Sequence, residues 1–499
     1  MTDEPKAWRC VVCGYVHRGP EPPETCPICS ASRDKFEPYK DASAESSGKI
    51  DRLRCSNCNH VHVGAKPPAE CPVCGAGSDR FEPLGEVVGQ PNAARAVKAV
   101  VVGAGIAGLS AAESLRALSP EAEITLLSRE TELPYFRLNL TRYLAGEVGE
   151  RELPIHPAAW YEEKRIRLLL GAEVSAIALN GQTVILREGA KEPFEKLILA
   201  AGASPFVPPI AGADREGVTA LRTRADAERI LDAAKRGARC LCLGGGTLGL
   251  ETAGALARRG ADVTVLEELA WLMPRQLNQR AAAILADHVA RLGVKLRTRT
   301  TTSEILGDKQ VRGVRLEDKT LLAAELVVIT TGVRSNSYLA RLAGLDVRQG
   351  VVVDNFLTTS HPNVLAAGDM AEHGGIVYGT WGASQFQGSI AGMNAAGGRV
   401  EFGGIPRSNT LKVLDLDLFS IGQVEPEDAS VLEVQQETDG KYFRFLFRDN
   451  QLRGAILLGD ARLTAAVKRA VETKADFSAV LARHPSAADV LDYLAESLV

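Results

Sequence analysis

Hydrophobic positions are sparse before residue 97 and dense after it. From Ala99 the chain runs through a short unbroken apolar stretch, Val100 to Val102, then glycine, then small and apolar residues in AGLSAAESLR. A short apolar run bounded by glycine reads as a buried strand, and the stretch behind it as a helix. The same strand, glycine and helix order returns in RCLCLG and LGGGTLGLETAGAL, and AEITLL and VTVLE supply a following strand each time. From about Arg399 the pattern changes to NTLKVLDLDLFSIGQV, KYFRFLFRD and LRGAILLGD, alternating segments separated by turns. Helical segments are expected after them, over Arg462 to Glu472 and Ala487 to Leu498. The expected class is therefore α/β, with two Rossmann-like dinucleotide-binding domains and a small α+β C-terminal domain.

Both glycine turns have the spacing G-x-G-x-x-G, as Gly103, Gly105 and Gly108, then Gly244, Gly246 and Gly249. The first glycine permits the tight turn, the second lets the backbone approach a pyrophosphate, and the third lets helix and strand pack closely. One such match is weak, but two in one chain point to two dinucleotides, commonly a flavin and a nicotinamide.

Composition narrows the classes. At 499 residues the chain has room for three or more domains, and 58 basic against 62 acidic residues give a net charge of −4. That balance offers no polycationic surface for nucleic acid. No signal-peptide pattern opens the sequence, and no apolar run approaches the roughly 20 residues of a membrane span. A soluble, cytoplasmic protein with no membrane partner is expected.

Eight of the ten cysteines lie in C-x-x-C pairs before residue 75. Cys10, Cys13, Cys26 and Cys29 recur as Cys55, Cys58, Cys71 and Cys74, an offset of 45 that also carries Phe36, Glu37 and Pro38 to Phe81, Glu82 and Pro83. Two duplicated modules are expected, at 1–40 and 50–85, joined by polar DASAESSGK. Domains this small cannot bury enough apolar area, so a tetrahedral metal must staple each one. Four thiolates suit iron or zinc. His17 and His62 repeat as well, but four thiolates already fill the site, which makes them surface or packing residues.

The segments WRCVVCGYVHRGPEPPETCPICSASRDKFEP and LRCSNCNHVHVGAKPPAECPVCGAGSDRFEP resemble the rubredoxin module of rubrerythrins. The resemblance implies one Fe(SCys)4 centre in each, with a zinc ribbon as the alternative. Further on, LPYFRLNLTRYL, LILAAGASP, the second glycine turn, VVITTGVRSN and SHPNVLAAGD occur in order. Together they resemble the pyridine nucleotide-disulfide reductase superfamily, in particular NADH:rubredoxin reductases and the flavin portion of assimilatory nitrite reductases. The domains so implied are an FAD-binding domain over 97–212 and 322–399, an NAD-binding domain over 213–321, and an interface domain over 400–499. The interface domain either forms a homodimer or seats a rubredoxin module.

The resemblance also implies site residues. Asp369 would accept from a ribitol hydroxyl of FAD, with Gly368 allowing close approach, and Arg137 and Thr141 would lie along the flavin and pyrophosphate. Gly202 and Gly332, in the AAGASP and TTGVRSN turns, are further cofactor-binding candidates. Relatives carry Lys near flavin N5 where this chain has Arg142, which keeps the charge but does not titrate. Trp381 reads equally as an isoalloxazine contact or as core. Glu130 ends the second strand where an acidic group would hold the adenosine ribose, or is a solvated strand-end charge. Glu267, 23 residues past Gly244, would favour NADH over NADPH by repelling a 2′-phosphate, a preference that Arg258, Arg259 and Arg275 would soften. Glu251 would stand beside the nicotinamide, or is a helix-start carboxylate favoured by the dipole.

The sequence has no cysteine between Cys74 and Cys240, so the C-x4-C redox pair of disulfide reductases is missing. Cys240 and Cys242 share one face of a buried strand and are assigned no redox role. Electrons from NADH are therefore expected to leave FAD for the tethered iron centres. By likeness they would go on to a rubrerythrin or a diiron or flavodiiron reductase, in oxygen or peroxide detoxification. Two other classes stand beside this one: an NADH oxidase with zinc-ribbon docking modules, and a scaffold whose flavin is structural.

Overall fold

The computed structural model describes residues 7–10, 16–18, 21–24, 33–38, 52–55, 61–63, 66–69, 71, 77–83, 96–405, 408–438 and 440–497. The chain forms two compact units, one of Met1–Phe136, Glu150–Ser204 and Arg334–Ile405, the other of Arg137–Gly149, Pro205–Val333 and Pro406–Val499.

The first unit is built on a five-stranded sheet in the order Val364–Ala366, Lys196–Leu199, Lys98–Val102, Glu123–Leu127, Ile166–Leu169. Every pairing is parallel, and the central strands are runs of buried Val, Ile and Leu, as a sheet covered on both faces requires. The chain starts at the central strand, works outward on one side and returns on the other. The resulting switch point lies between Lys98–Val102 and Lys196–Leu199, where such sheets bind ligands. Helices Ile106–Leu118 and Trp381–Ala395 pack backbone to backbone. A Cβ on Gly388 would lie 2.1 Å from the Ala107 carbonyl oxygen, and one on Gly392 2.2 Å from that of Ala111.

The cysteine modules show the duplication in their strands. Ala7–Cys10 lies between Val16–Arg18 and Phe36–Pro38, and Arg52–Cys55 lies between Val61–Val63 and Phe81–Pro83, all antiparallel. The register is the same in both, Arg9 facing Glu37 and Arg54 facing Glu82.

The second unit repeats the parallel plan, in the order Val218–Ala220, Leu326–Ile329, Arg239–Leu243, Asp262–Leu266, Lys295–Arg297. It also contains a five-stranded antiparallel sheet, Ser408–Val413, Leu416–Gly422, Gln451–Leu458, Lys441–Arg448, Leu432–Thr438. Phe445, Phe447 and Phe477 join Val467 and Val490 in the core between this sheet and its helices Thr464–Glu472 and Ala487–Ser497. NTLKVLDLDLFSIGQV is thus a hairpin, turning at Leu414 and Asp415 with φ of 51° and 68°. Among the described residues no helix is long and apolar enough to cross a membrane.

Candidate dinucleotide and metal sites

In the first glycine turn two positions serve the protein's own packing and one stands clear of it. Gly103 has φ +106°, and a Cβ there would sit 2.3 Å from the Ala200 carbonyl oxygen, across the switch point. A Cβ on Gly108 would lie 1.8 Å from the oxygen of Gly103. Gly105 caps the helix, and nothing comes within 4 Å of where its Cβ would be. Beyond it lie the first-turn N–H groups, which have no intrahelical partner and suit a pyrophosphate.

Around this cradle the unit gathers the other candidates. Glu130, half-buried, accepts from the Tyr135 hydroxyl at 2.6 Å. Gly368 and Asp369 form a 3-10 turn in which Gly368 N–H donates to Gln387 Oε1 at 2.8 Å and Ser384 Oγ donates to Asp369 Oδ1 at 3.2 Å. Gln387 is 1% exposed, and among the described residues its Nε2 has no hydrogen-bond partner. A buried donor left over beside Asp369 matches a site whose acceptor is a bound group. The Gly202 carbonyl accepts from Asn336 N–H at 2.9 Å, and Asn336 Nδ2 donates to Ala201 O at 2.8 Å. Trp381 opens helix Trp381–Ala395 half-buried, its ring stacked on Phe136 at 5.8 Å and 26°.

The second turn repeats the first. Gly244 has φ +111°, and a Cβ there would sit 2.8 Å from the Thr330 carbonyl oxygen; a Cβ on Gly249 would lie 2.0 Å from the Gly244 oxygen, and one on Gly246 would have nothing within 4 Å. Glu267, 8% exposed, accepts from Gly245 N–H at 2.7 Å and Leu269 N–H at 2.8 Å, so the strand-end carboxylate is tied to the glycine turn itself. The Gly332 carbonyl accepts from Phe206 N–H at 2.8 Å. Arg258 is paired with Glu147 and with Asp415, and Arg259 donates to the Leu144 carbonyl. Both guanidiniums are engaged in the fold, while Arg275 is exposed.

The second unit also holds Glu251, Arg142, Arg137 and Thr141. Glu251 Oε1 accepts from Leu414 N–H at 2.9 Å. Burial pushes its carboxyl above the ordinary range, opposed by the Leu414 bond and the charge of Arg258. Arg142 Nε donates to Glu147 at 3.3 Å, and Glu147 in turn pairs with Arg258, so Arg142 and Glu251 belong to one charge network. Arg137 donates to the Arg222 carbonyl at the start of helix Arg224–Ala233, and Thr141 is half-buried on helix Leu140–Ala145.

Of the eight module cysteines, Cys55 and Cys71 are buried. Cys10 ends the strand Ala7–Cys10, its side chain outside the described residues, as are Cys13, Cys26, Cys29, Cys58 and Cys74. Soft thiols withdrawn from solvent suit a tetrathiolate metal. His62 packs edge-on against Phe81, with centroids 6.3 Å apart. Cys240 and Cys242 are buried in the sheet, and burial raises both thiols, Cys240 to about 11.

Sequence reasoning missed Ser384, Gln387, Asn336 and Leu414. Ser384, Gln387 and Gly388 stand at i, i+3 and i+4 of one helix, a polar and small stripe that marks a face turned to something other than an apolar core. Leu414 carried no such signal.

Comparison with known proteins agrees with the fold. Residues 97–396 match the pyridine nucleotide-disulphide oxidoreductase family. Residues 408–475 match the rubredoxin NAD+ reductase C-terminal domain, and 8–37 and 54–82 the rubrerythrin rubredoxin-like domain. A nitrite reductase [NAD(P)H] of Bacillus subtilis is 34% identical over 382 residues, 76% of this chain and 48% of that one, so the chain spans about half the length of this relative. The NADH-rubredoxin oxidoreductase of Clostridium acetobutylicum is 29% identical over 383 residues, 77% of this chain and 96% of that one. Its crystal structure superposes with a TM-score of 0.68, covering 80% of this chain and all of that one at 26% identity. With its glycine cradles at two parallel-sheet switch points, the chain belongs to the pyridine nucleotide-disulphide oxidoreductase family.

Proposed function

We propose that the protein is an electron-transfer flavoenzyme that oxidises NADH and reduces two iron centres carried on its own N-terminal modules. The observation that carries this reading is the pair of cradles whose middle glycines, Gly105 and Gly246, stand clear of the protein. They occur in a chain that has no cysteine between Cys74 and Cys240 to receive the electrons as a dithiol.

Gly103, Gly105 and Gly108 hold the FAD pyrophosphate on a helix N-terminus, Glu130 the adenosine ribose, and Gly368 and Asp369 the ribitol. Gly202 shapes the loop beside them. Gly244, Gly246 and Gly249 do the same for NADH, with Gly332 in the facing loop. Glu267 accepts from the ribose 2′-hydroxyl and disfavours NADPH. FAD, when bound, takes a hydride from NADH and releases electrons singly. Glu251 orients the nicotinamide ring, Arg142 supplies a positive charge, and Trp381 closes the flavin pocket against water. Arg137 and Thr141 position the helix that carries Arg142. Cys10, Cys13, Cys26 and Cys29 hold one iron; Cys55, Cys58, Cys71 and Cys74 hold the other.

The balance closes on one turnover. One NADH becomes NAD+ with release of one proton, and each of two ferric tetrathiolates gains one electron. The ferrous centres then serve an external redox protein, of which a rubrerythrin or a diiron or flavodiiron oxygen or peroxide reductase is the class favoured. Tethering raises the local concentration of the acceptor to roughly millimolar, so encounter need not limit the rate. Metal analysis with an anaerobic NADH titration tests the reading. Iron in both modules and four electrons per chain support it. Zinc in both modules, with two electrons taken up, supports an NADH oxidase with docking ribbons instead.

A further inference from the structure

The two cysteine modules carry the same residue at about half of their matching positions, all four cysteines included, so their sequences alone do not say which receives electrons first. Their placement bears on it. Arg54 precedes Cys55 on strand Arg52–Cys55, and its guanidinium lies over the ring of Phe386, 5.5 Å from the centroid. That is within the roughly 6 Å over which a ring quadrupole holds a cation. Nε of the same group donates to Glu82 at 2.8 Å, so the module's own sheet fixes the side chain in this direction. Phe386 is 6% exposed on helix Trp381–Ala395. The next residue, Gln387, accepts from Gly368 N–H at 2.8 Å, directly beside Asp369. Short links thus join Cys55 to the proposed ribitol contact, through Arg54, Phe386, Gln387 and Gly368.

We infer that the second module is the first electron acceptor, seated on the FAD-binding unit by Arg54 over Phe386, and that the first module takes its electron from the second and faces the external acceptor. This rests on the proposed NADH-to-iron activity. Of the two electrons of one hydride, the first passes through the second module to reduce the first, and the next reduces the second module itself. The proton from NADH goes to solvent. Trp8, Tyr15 and Tyr39 of the first module stand where the second has Leu53, His60 and Leu84, so the two centres differ in surroundings as a relay requires.

The test uses the full-length, iron-loaded protein and the variants Arg54→Ala, Phe386→Leu and Arg9→Ala. Stopped-flow mixing with NADH reads the flavin band and the ferric charge-transfer bands separately. Arg54→Ala is expected to leave flavin reduction unchanged and to slow ferric bleaching about tenfold, the factor a contact of this kind supplies. Phe386→Leu, which keeps the module's own residues intact, should slow ferric bleaching as well, and Arg9→Ala should not slow its first phase. Hydrogen exchange on the oxidised protein without NADH gives a readout independent of turnover. Arg54→Ala should raise exchange in 52–55 and 381–395 together. Wild-type rates and wild-type exchange in both Arg54→Ala and Phe386→Leu, or slowing by Arg9→Ala alone, overturn the inference while leaving the proposed activity standing. Ferric bands that ignore NADH in the wild type, while the flavin bleaches, overturn both.

Discussion

The backbone N–H of Leu414 donates to the carboxylate of Glu251 at 2.9 Å, and this bond anchors a hairpin of the antiparallel sheet to helix Thr247–Arg258. The Leu414 carbonyl accepts from His288 Nε2 at 2.8 Å, and Asp415 pairs with Arg258 at 2.8 Å. The Leu414 side chain fills the notch over Gly254, where a Cβ would lie 2.0 Å from Leu414 Cδ2. Glu251 therefore has a definite orientation, set from outside its own helix.

Glu251→Gln separates the roles of this carboxylate. Burial raises its folded pKa, so as pH rises the unfolded chain gives up the proton first. Stability is then lost between the ordinary carboxylate range and the raised folded value, and is level above it. Gln keeps the acceptor and removes the titration. At neutral pH Glu251→Gln should melt at or above the wild-type temperature, without the wild-type decline across that window. Hydride transfer from NADH should slow by up to about 100-fold, as misplacement at a reacting centre does. Glu251→Ala strands the Leu414 N–H and should cost about 1–3 kcal/mol. Thermal melts over pH and stopped-flow flavin reduction check both.

The glycine turns predict a clean dissociation between folding and binding. Gly105→Ala and Gly246→Ala place a methyl group where nothing lies within 4 Å, so the unliganded chain should melt normally. The same methyl enters the space proposed for a pyrophosphate. Gly105→Ala should weaken FAD retention, and Gly246→Ala should raise the KM for NADH, each about tenfold or more, since backbone approach is what that glycine provides. Gly108→Ala and Gly249→Ala drive a methyl to within 2.0 Å of a carbonyl oxygen and should lower stability as well. Cofactor content and melting temperature, measured on all four, distinguish the two effects.

Glu267 Oε2 accepts from Gly245 N–H in the second glycine turn, and its Oε1 accepts from Leu269 N–H. Glu267→Gln can keep an acceptor to only one of those two N–H groups and loses the negative charge proposed to face the ribose. The expected result is a smaller NADH-over-NADPH preference in kcat/KM, together with a stability loss of about 1–3 kcal/mol from the N–H left unpaired. Unchanged preference with lowered stability would assign Glu267 to the turn alone.

Cys240 and Cys242 are expected to be silent. Burial lifts the Cys240 thiol to about 11 and the Cys242 thiol higher still, so neither is a thiolate at neutral pH. Both should resist alkylation in the native protein and react after unfolding. Cys240→Ala with Cys242→Ala should retain NADH oxidation, which a hidden dithiol relay would not allow.

What the sequence could and could not reveal follows from the range of each interaction. The glycine turns were legible because a positive φ at Gly103 and a helix pressed on Gly103 by Gly108 are local demands that only glycine meets. The duplicated modules were legible from an exact offset. The turn at Leu414 and Asp415 was not, since Leu is not a usual residue at positive φ; its conformation is held by Glu251, His288 and Arg258, all more than a hundred positions away. Nor was the fate of Arg258 and Arg259, expected to soften the NADH preference, because their partners Glu147 and Leu144 come from a distant stretch of chain. From sequence Trp381 reads equally as flavin contact or core, and its stack on Phe136, next to Arg137 in the chain, lies equally out of reach of periodicity.

The modules offer the most direct count. Each is too small to hold together by apolar burial, so its metal is expected to be its folding energy. Cys55 and Cys71 lie buried in the second module, and replacing either by serine removes a soft donor from the proposed site without touching residues 96–405. Cys55→Ser should halve the iron content and leave both the main thermal transition and NADH reduction of the flavin unchanged. In an anaerobic titration the wild type is expected to take up four electrons, two at the flavin and one at each proposed iron. Cys55→Ser should take up two, because the first module is fed through the second, and Cys10→Ser, which leaves the second module intact, three. A count of four in Cys55→Ser would mean that its module is not an electron acceptor. A count of three would mean that the first module is reached without the second, against what the seat of Arg54 on Phe386 implies for a strictly serial relay.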